Sequence, residues 1–152
     1  MIHLQSPDLS ETVQIELLHT MIHTFYTEYD ASHTMHTANI FNTIQHFSNH
    51  PETGSVVFIM KDEIIVGYAI LVNFWSNEYG GNILFIDELF IQAGYRNNGI
   101  GKEFFRLLEE TYIHARVLAL EVSPENAGAS RLYHSLGFRK NKNSTLFNIQ
   151  NR

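Results

Sequence analysis

The chain has no cysteine. Disulfides, thiolate metal sites and a cysteine nucleophile are therefore all excluded, and cysteine usage leaves the redox compartment open. Long apolar runs are missing too: none approaches the ~18 residues of a membrane helix. The opening MIHLQSPDLSETVQIE lacks the basic start and apolar core of a signal peptide. A soluble, cytoplasmic protein with no membrane partner is expected. Basic residues are scarce, ten Lys and Arg against sixteen Asp and Glu, for a formal net charge of −6. Phosphate contacts need clustered cations, so no nucleic-acid partner is expected, and the acidic balance suits a cationic one. There are only three prolines and no linker, repeat or low-complexity stretch. The 152 residues fit a single domain, 1–152, with one core.

Periodicity predicts a first helix from near Asp8, where Asp8-x-x-Glu11 has capping-box spacing. Its apolar face carries Leu18, Met21, Ile22, Phe25, Tyr26 and Tyr29. A polar loop, 30–36, leads to a second helix over 37–50, with Phe41, Ile44 and Phe47 at helical spacing and Pro51 after its end. The β-branched runs 55–60 and 64–75 flank Lys61-Asp62-Glu63 and read as a hairpin. A turn at 77–81 then precedes a strand over 82–92. A helix over 102–115 turns Phe104, Leu107, Leu108, Thr111, Tyr112 and Ala115 toward a sheet and Glu103, Arg106, Glu109 and Glu110 toward water. A buried strand over 117–122, a helix over 127–136 and a final strand after Gly137-Phe138 complete the order. The class is α/β, mixed, with a crossover helix between two parallel strands.

Between the strand at 82–92 and the helix lies Arg96-Asn97-Asn98-Gly99-Ile100-Gly101. Glycine removes Cβ where backbone must approach a ligand, and asparagine tolerates the turn dihedrals that point successive N–H groups inward. At a helix N-terminus those donors and the positive end of the dipole favour a phosphate anion. Arg96 and Lys102 add cationic side chains. The spacing is neither G-x-G-x-x-G nor G-x-x-x-x-G-K-[ST], so a dinucleotide fold and a nucleoside-triphosphatase loop are not supported.

The pattern R-x-x-G-x-G resembles the signature of the GNAT superfamily of acyl-CoA-dependent N-acyltransferases, which follows that family's fourth strand. A second element agrees: Asn126-x-x-Ala129-x-x-Leu132-Tyr133-x-x-x-Gly137-Phe138 is similar to the family's fourth helix and its Gly-Phe entry into a sixth strand. The resemblance is strongest over 81–138. It implies a central mixed, largely antiparallel sheet with a splayed parallel strand pair and helices on both faces. It further implies acetyl-CoA as cosubstrate, with the pantetheine arm pairing to the backbone of Leu89, Phe90 and Ile91. The pyrophosphate would lie on Arg96, Asn97, Asn98, Gly99, Ile100, Gly101 and Lys102, and Asn126 and Ser130 would contact the pantetheine or the adenine-side phosphates.

Acetyl transfer to an amine needs a neutral nucleophile, a polarised thioester carbonyl and a proton for the departing thiolate. Glu88 is the first candidate for general base, since a carboxylate in a partly desolvated cleft can have its pKa raised toward working pH. Asp87 would hold a cationic amine. Strict alternation sends neighbouring carboxylates to opposite faces, and a bulge is expected here. Tyr133 stands where the resembled family places a tyrosine that hydrogen-bonds and protonates the CoA sulfur. The run 84–91 resembles the acidic fourth strand of polyamine-type acetyltransferases, and Glu78 and Tyr79 would extend an anionic, aromatic pocket for ammonium groups. Family resemblance puts acceptor selection in loop 30–36 and in a last hairpin over 138–149.

Nine histidines include His19-x-x-x-His23, which has ligand spacing on a helix but no third ligand nearby, so no metal is expected. His33, His36 and His114 read as solvated. The leading expectation is acetyl transfer from acetyl-CoA to a primary amine of a small polyamine-like or amino-acid-like molecule, by direct attack in a ternary complex. The competing readings are a protein or aminoglycoside N-acetyltransferase and a non-catalytic CoA-binding or regulatory module with the same fold. A homodimer accords with the resembled family.

Overall fold

A computed structural model of the chain describes residues 1–29 and 34–151. Strand β1 (Ile2–Gln5) is followed by helices α1 (Thr12–Tyr29) and α2 (Thr37–Asn49) and by strands β2 (Gly54–Lys61), β3 (Ile64–Ser76) and β4 (Gly81–Ile91). A 3₁₀ turn (Ala93–Tyr95) leads to α3 (Ile100–Thr111), then β5 (Ala115–Leu120) and α4 (Ala127–Ser135). The five strands form one sheet in the order β1-β2-β3-β4-β5. All neighbours run antiparallel except β4 and β5, which are parallel and joined by the crossover helix α3.

Each face of the sheet carries its own apolar layer. On one side Val57, Ile59, Ala69, Leu71, Leu84 and Ile86 pack with Ile100, Phe104, Phe105 and Leu108 of α3, and the half-buried Tyr133, Leu136 and Phe138 pack at the margin. On the other, Val56, Phe58, Met60, Tyr68, Ile70 and Phe90 pack with Leu18, Met21 and Ile22 of α1 and Ile40 of α2. Period-two alternation in the strands and period-3.6 spacing in the helices supply both layers. The β2–β3 turn has Asp62 and Glu63 at φ 48° and 62°, the left-handed pair that a two-residue hairpin needs to follow strand twist.

Several expectations need correction. Strand β1 is absent from the periodic reading, and its presence makes β4 the fourth strand. Helix α1 begins at Thr12, because the Asp8 side chain accepts from Ser10 N–H at 2.9 Å and Ser10 Oγ at 2.7 Å and so closes a local turn ahead of the helix. Phe41 is exposed, and Ile40 takes the buried position in α2. Helix α3 stops at Thr111, so Ala115 opens β5 and does not sit on the helix. Glu103 is not on a solvated face: its Oε1 accepts the Ile2 N–H at 2.9 Å and ties β1 to α3. No strand forms after Phe138 among the described residues, so the expected last strand and hairpin over 138–149 are not there. Among the described residues no helix is long and apolar enough to cross a membrane.

Candidate functional site

The parallel pairing of β4 with β5 ends at Ile86↔Leu120, while β4 runs on to Ile91 with only β3 beside it. Beyond Leu120 the chain leaves the sheet, so the two strands part and residues 87–91 line one side of a gap. Leu89, Phe90 and Ile91 lie on this free edge, their other edge taken by Ala69, Tyr68 and Gly67 of β3. The Ile91 carbonyl is occupied, accepting from Arg96 Nε at 2.7 Å.

The turn after β4 opens at the same end. Asn97 (φ 62°) and Gly99 (φ 78°) are both left-handed, and Gly99 caps α3. Glu103 N–H bonds to the Gly99 carbonyl at 3.1 Å and is the first amide the helix ladder takes up. Those of Ile100, Gly101 and Lys102 therefore precede the ladder and point out of the helix start. A Cβ at Gly99 would meet nothing within 4 Å, so its glycine serves the φ angle. Gly101 serves a different need: a Cβ there would lie 2.6 Å from Leu132 Cδ2, so its bareness lets α4 lie against α3.

Of the two flanking cations, Lys102 is exposed, whereas Arg96 turns away from the helix start. Its Nη2 pairs with Glu28 Oε2 at 3.0 Å, and its guanidinium carbon lies 5.4 Å from the ring centres of both Tyr29 and Phe90. Asn98 Nδ2 donates to the Arg96 carbonyl at 3.0 Å, which braces the turn. What this turn presents to an anion is mainly main-chain N–H. A set of amides at a helix start beside an exposed lysine suits a phosphate anion.

The bulge in β4 is present. Ile70 faces Glu88 while Leu71 faces Ile86, which leaves Asp87 as the extra residue. Before it, Leu84 and Ile86 face the α3 layer; after it, Phe90 faces the α1 layer. This change of phase carries Glu88 to the α1 side. There it is only 5% exposed, accepting from Tyr68 Oη at 2.7 Å and from Tyr26 Oη at 2.9 Å. The Tyr68 phenol is pushed far above its usual range, first by burial and then by the Glu88 charge, so it stays a donor.

Asp87 is solvent-exposed at the mouth of the gap. Its carboxyl is raised above the usual range, first by the neighbouring protein mass that displaces part of its water and then by the Glu121 charge. Glu121 directly follows the last paired residue of β5, so the parting strands set two acids at one opening. Glu78 and Tyr79 lie elsewhere. They occupy the exposed turn before Gly81, about 20 Å of extended strand away from Asp87. They are not gathered with the acids of the bulge.

Tyr133 of α4 packs edge-on against Phe105 and Phe138, with ring centres 5.7 and 5.9 Å apart, and burial pushes its phenol up to about 12. Asn126 caps α4, its Oδ1 accepting from Ala129 N–H at 3.2 Å. Ser130 is half-buried one turn along, its carbonyl 2.7 Å from His134 Nδ1. Residues 30–33 of the expected acceptor loop, His33 among them, lie outside the described residues. Among those described, no three His, Asp or Glu side chains are grouped to hold a metal ion.

Sequence comparison gives the decisive observation: residues 15–138 match the family described as acetyltransferase (GNAT). The chain belongs to the GNAT acetyltransferase family. No curated protein matches its sequence significantly. Solved structures share the GNAT fold. A possible acetyltransferase from Clostridium difficile 630 superposes with a TM-score of 0.79 at 16% identity, covering 99% of each chain. The aminoglycoside acetyltransferase meta-AAC0020, from an uncultured soil metagenomic sample and bound to sisomicin, gives 0.72 at 10% identity over 99% of this chain and 97% of that one. AAC(6')-Iy, bound to the bisubstrate analogue CoA-S-monomethyl-acetylneamine, gives 0.65 at 14% identity over 99% of each.

Reading the sequence missed Tyr26 as more than core, and missed Tyr68, Glu28 and Glu121 altogether. Removing one phenol donor from this buried carboxylate leaves a charged acceptor short of a partner. Tyr68→Phe is therefore expected to lower unfolding free energy by about 1–3 kcal/mol, read from urea denaturation at neutral pH; an unchanged midpoint and slope would show that the contact is not holding Glu88.

Proposed function

We propose that this GNAT protein is a cytoplasmic N-acetyltransferase that moves acetyl from acetyl-CoA to a primary amine of a small molecule, polyamine-like or amino-acid-like. Transfer is by direct attack in a ternary complex, which suits a chain without cysteine. The observation that carries this reading is the bulge, which sets a buried, doubly hydrogen-bonded carboxylate and an exposed one side by side where β4 leaves β5. Asp87, with Glu121 near it, attracts the ammonium form of the acceptor. Glu88 takes one proton from that ammonium, directly or through a water, which frees the nitrogen lone pair to form the N–C bond, and the second proton of the nitrogen leaves to water as the thioester C–S bond breaks.

Acetyl-CoA supplies an activated thioester, whose C–S bond breaks with the electron pair leaving on sulfur. Amides at the start of α3, with Lys102, hold its pyrophosphate, and the free edge at Leu89 and Phe90 holds its arm. Tyr133 serves the departing sulfur. With its phenol near 12, complete transfer to a thiolate whose conjugate acid titrates near ~8.5 runs uphill by about 3–4 pH units. Tyr133 acts best as a neutral hydrogen-bond donor to that sulfur, with solvent delivering the proton later.

The first test is CoA thiol release from acetyl-CoA, followed with a colorimetric thiol reagent across polyamines, amino acids, aminoglycosides and a lysine peptide. Release that depends on a polyamine or amino acid is expected. Dependence on aminoglycosides or the peptide would move the acceptor class, and acetyl-CoA binding without release by any amine would favour a binding module. Tyr133→Phe is expected to lower kcat roughly 10–100-fold, the worth of one hydrogen bond to developing charge, with the KM for acetyl-CoA nearly constant. An unaltered kcat would leave Tyr133 a packing residue. Glu88→Gln is expected to cost about 100-fold or more in kcat and to remove the acid limb of the rate profile; a retained limb would assign the base elsewhere.

A further inference from the structure

Two hydrogen bonds reach Glu88 from elements of unlike kind. Tyr68 belongs to β3, beside β4 in the sheet, and stands opposite Phe90 with their rings stacked 5.9 Å apart. It is fully buried, and its Oη donates to Glu88 Oε1 at 2.7 Å. The strand ladder fixes this donor in place. Tyr26 belongs to α1, is half-buried and lies edge-on to Phe25 with ring centres 5.3 Å apart. Its Oη reaches from the helix layer to the sheet and donates to Glu88 Oε2 at 2.9 Å. Phe25 packs in the same layer without a hydroxyl, so packing alone does not call for the one on Tyr26.

A hydrogen-bond donor favours the charged form of a carboxylate, and burial favours the neutral one. At Glu88, buried as it is, the two act against each other. The titratable groups around this carboxylate come from several elements. Tyr26 of α1, Asp87 of β4 and Glu88 itself all act on the charge of the Tyr68 phenol in β3. Glu121, just past β5, acts in turn on Asp87, and Arg96 lies against the rings of Tyr29 and Phe90. Tyr26 is the member of this set that bonds the carboxylate directly from a helix.

Resting on the reading of Glu88 as the general base, we propose that Tyr26 is a positioning residue for it: the hydroxyl carried by α1 keeps the carboxylate ionised and fixed in orientation, so that the seating of α1 on the sheet sets the pH at which the base works. The sign follows from the bond itself. Taking away the Tyr26 hydroxyl withdraws a partner from the charged form and leaves the burial in place, so Glu88 must titrate at higher pH. The acid limb of the rate profile, which needs Glu88 ionised, moves up with it.

Tyr26→Phe keeps the ring and removes the donor. Protein isotope-labelled at the glutamate side-chain carboxyl gives the direct readout, the Glu88 signal being the one lost in Glu88→Gln, followed by NMR across pH. In Tyr26→Phe that titration is expected about one to two pH units higher than in the parent, the worth of one hydrogen bond to a charged acceptor, with the acid limb of kcat displaced equally and in the same direction. An unmoved titration in the folded variant, or a loss of rate equal at every pH, overturns the proposal and leaves Tyr26 a packing residue. A titration that moves while the limb stays overturns it by another route: Tyr26 would hold Glu88, and Glu88 would not be the base. Should circular dichroism show that the variant does not fold, a ring-fluorinated tyrosine at position 26 keeps shape and hydroxyl and is a stronger donor. It is expected to move the titration down, and no movement would again overturn the proposal.

Discussion

The arrangement of the site depends on one extra residue in β4. Alternation would otherwise keep the even-numbered side chains of this strand on the α3 side from end to end. With Asp87 inserted opposite the Ile70–Leu71 step, Ile86 stays in the α3 layer while Glu88 and Phe90 move to the α1 layer. A bulge also sharpens twist and bends its strand. It lies immediately past Ile86↔Leu120, the last pair that joins β4 to β5. Inversion of the faces and opening of the gap thus occur at the same point in the chain.

Once on the α1 side, Glu88 is held by partners from two different elements, Tyr68 of β3 and Tyr26 of α1. Burying a carboxylate is tolerable only with such donors. Their contribution is orientation as well as solvation, because each carboxylate oxygen accepts from a different phenol. A buried acid held by fixed phenol donors is stiff in a way an exposed one is not.

How far the chain could be read in advance varied with range. Helices and strands with several turns or alternations were legible, and so was the bulge, since two adjacent acids in a strand flanked by apolar residues conflict with a single buried face. The motif from Arg96 to Gly101 was legible as a strand-to-helix turn because its glycine and asparagine positions act locally. Strand β1 was not, since four residues carry too little periodicity to declare themselves. Nor were the partners of Glu88, which lie 62 and 20 positions away in sequence. Gly101 was read for a ligand, while its contact is Leu132, a residue that only tertiary packing brings near. Arg96 was likewise read from its neighbours in sequence, and its partner Glu28 belongs to the end of α1.

That last contact makes Arg96 a strut. One end of it grips the β4 backbone at Ile91, immediately before the turn; the other grips Glu28, two positions before the chain enters the loop after α1. Between the rings of Tyr29 and Phe90 it has little room to pivot. The turn that opens α3 and the end of α1 are therefore cross-braced by this side chain. A shift of either element would have to break a guanidinium contact that the other element shares.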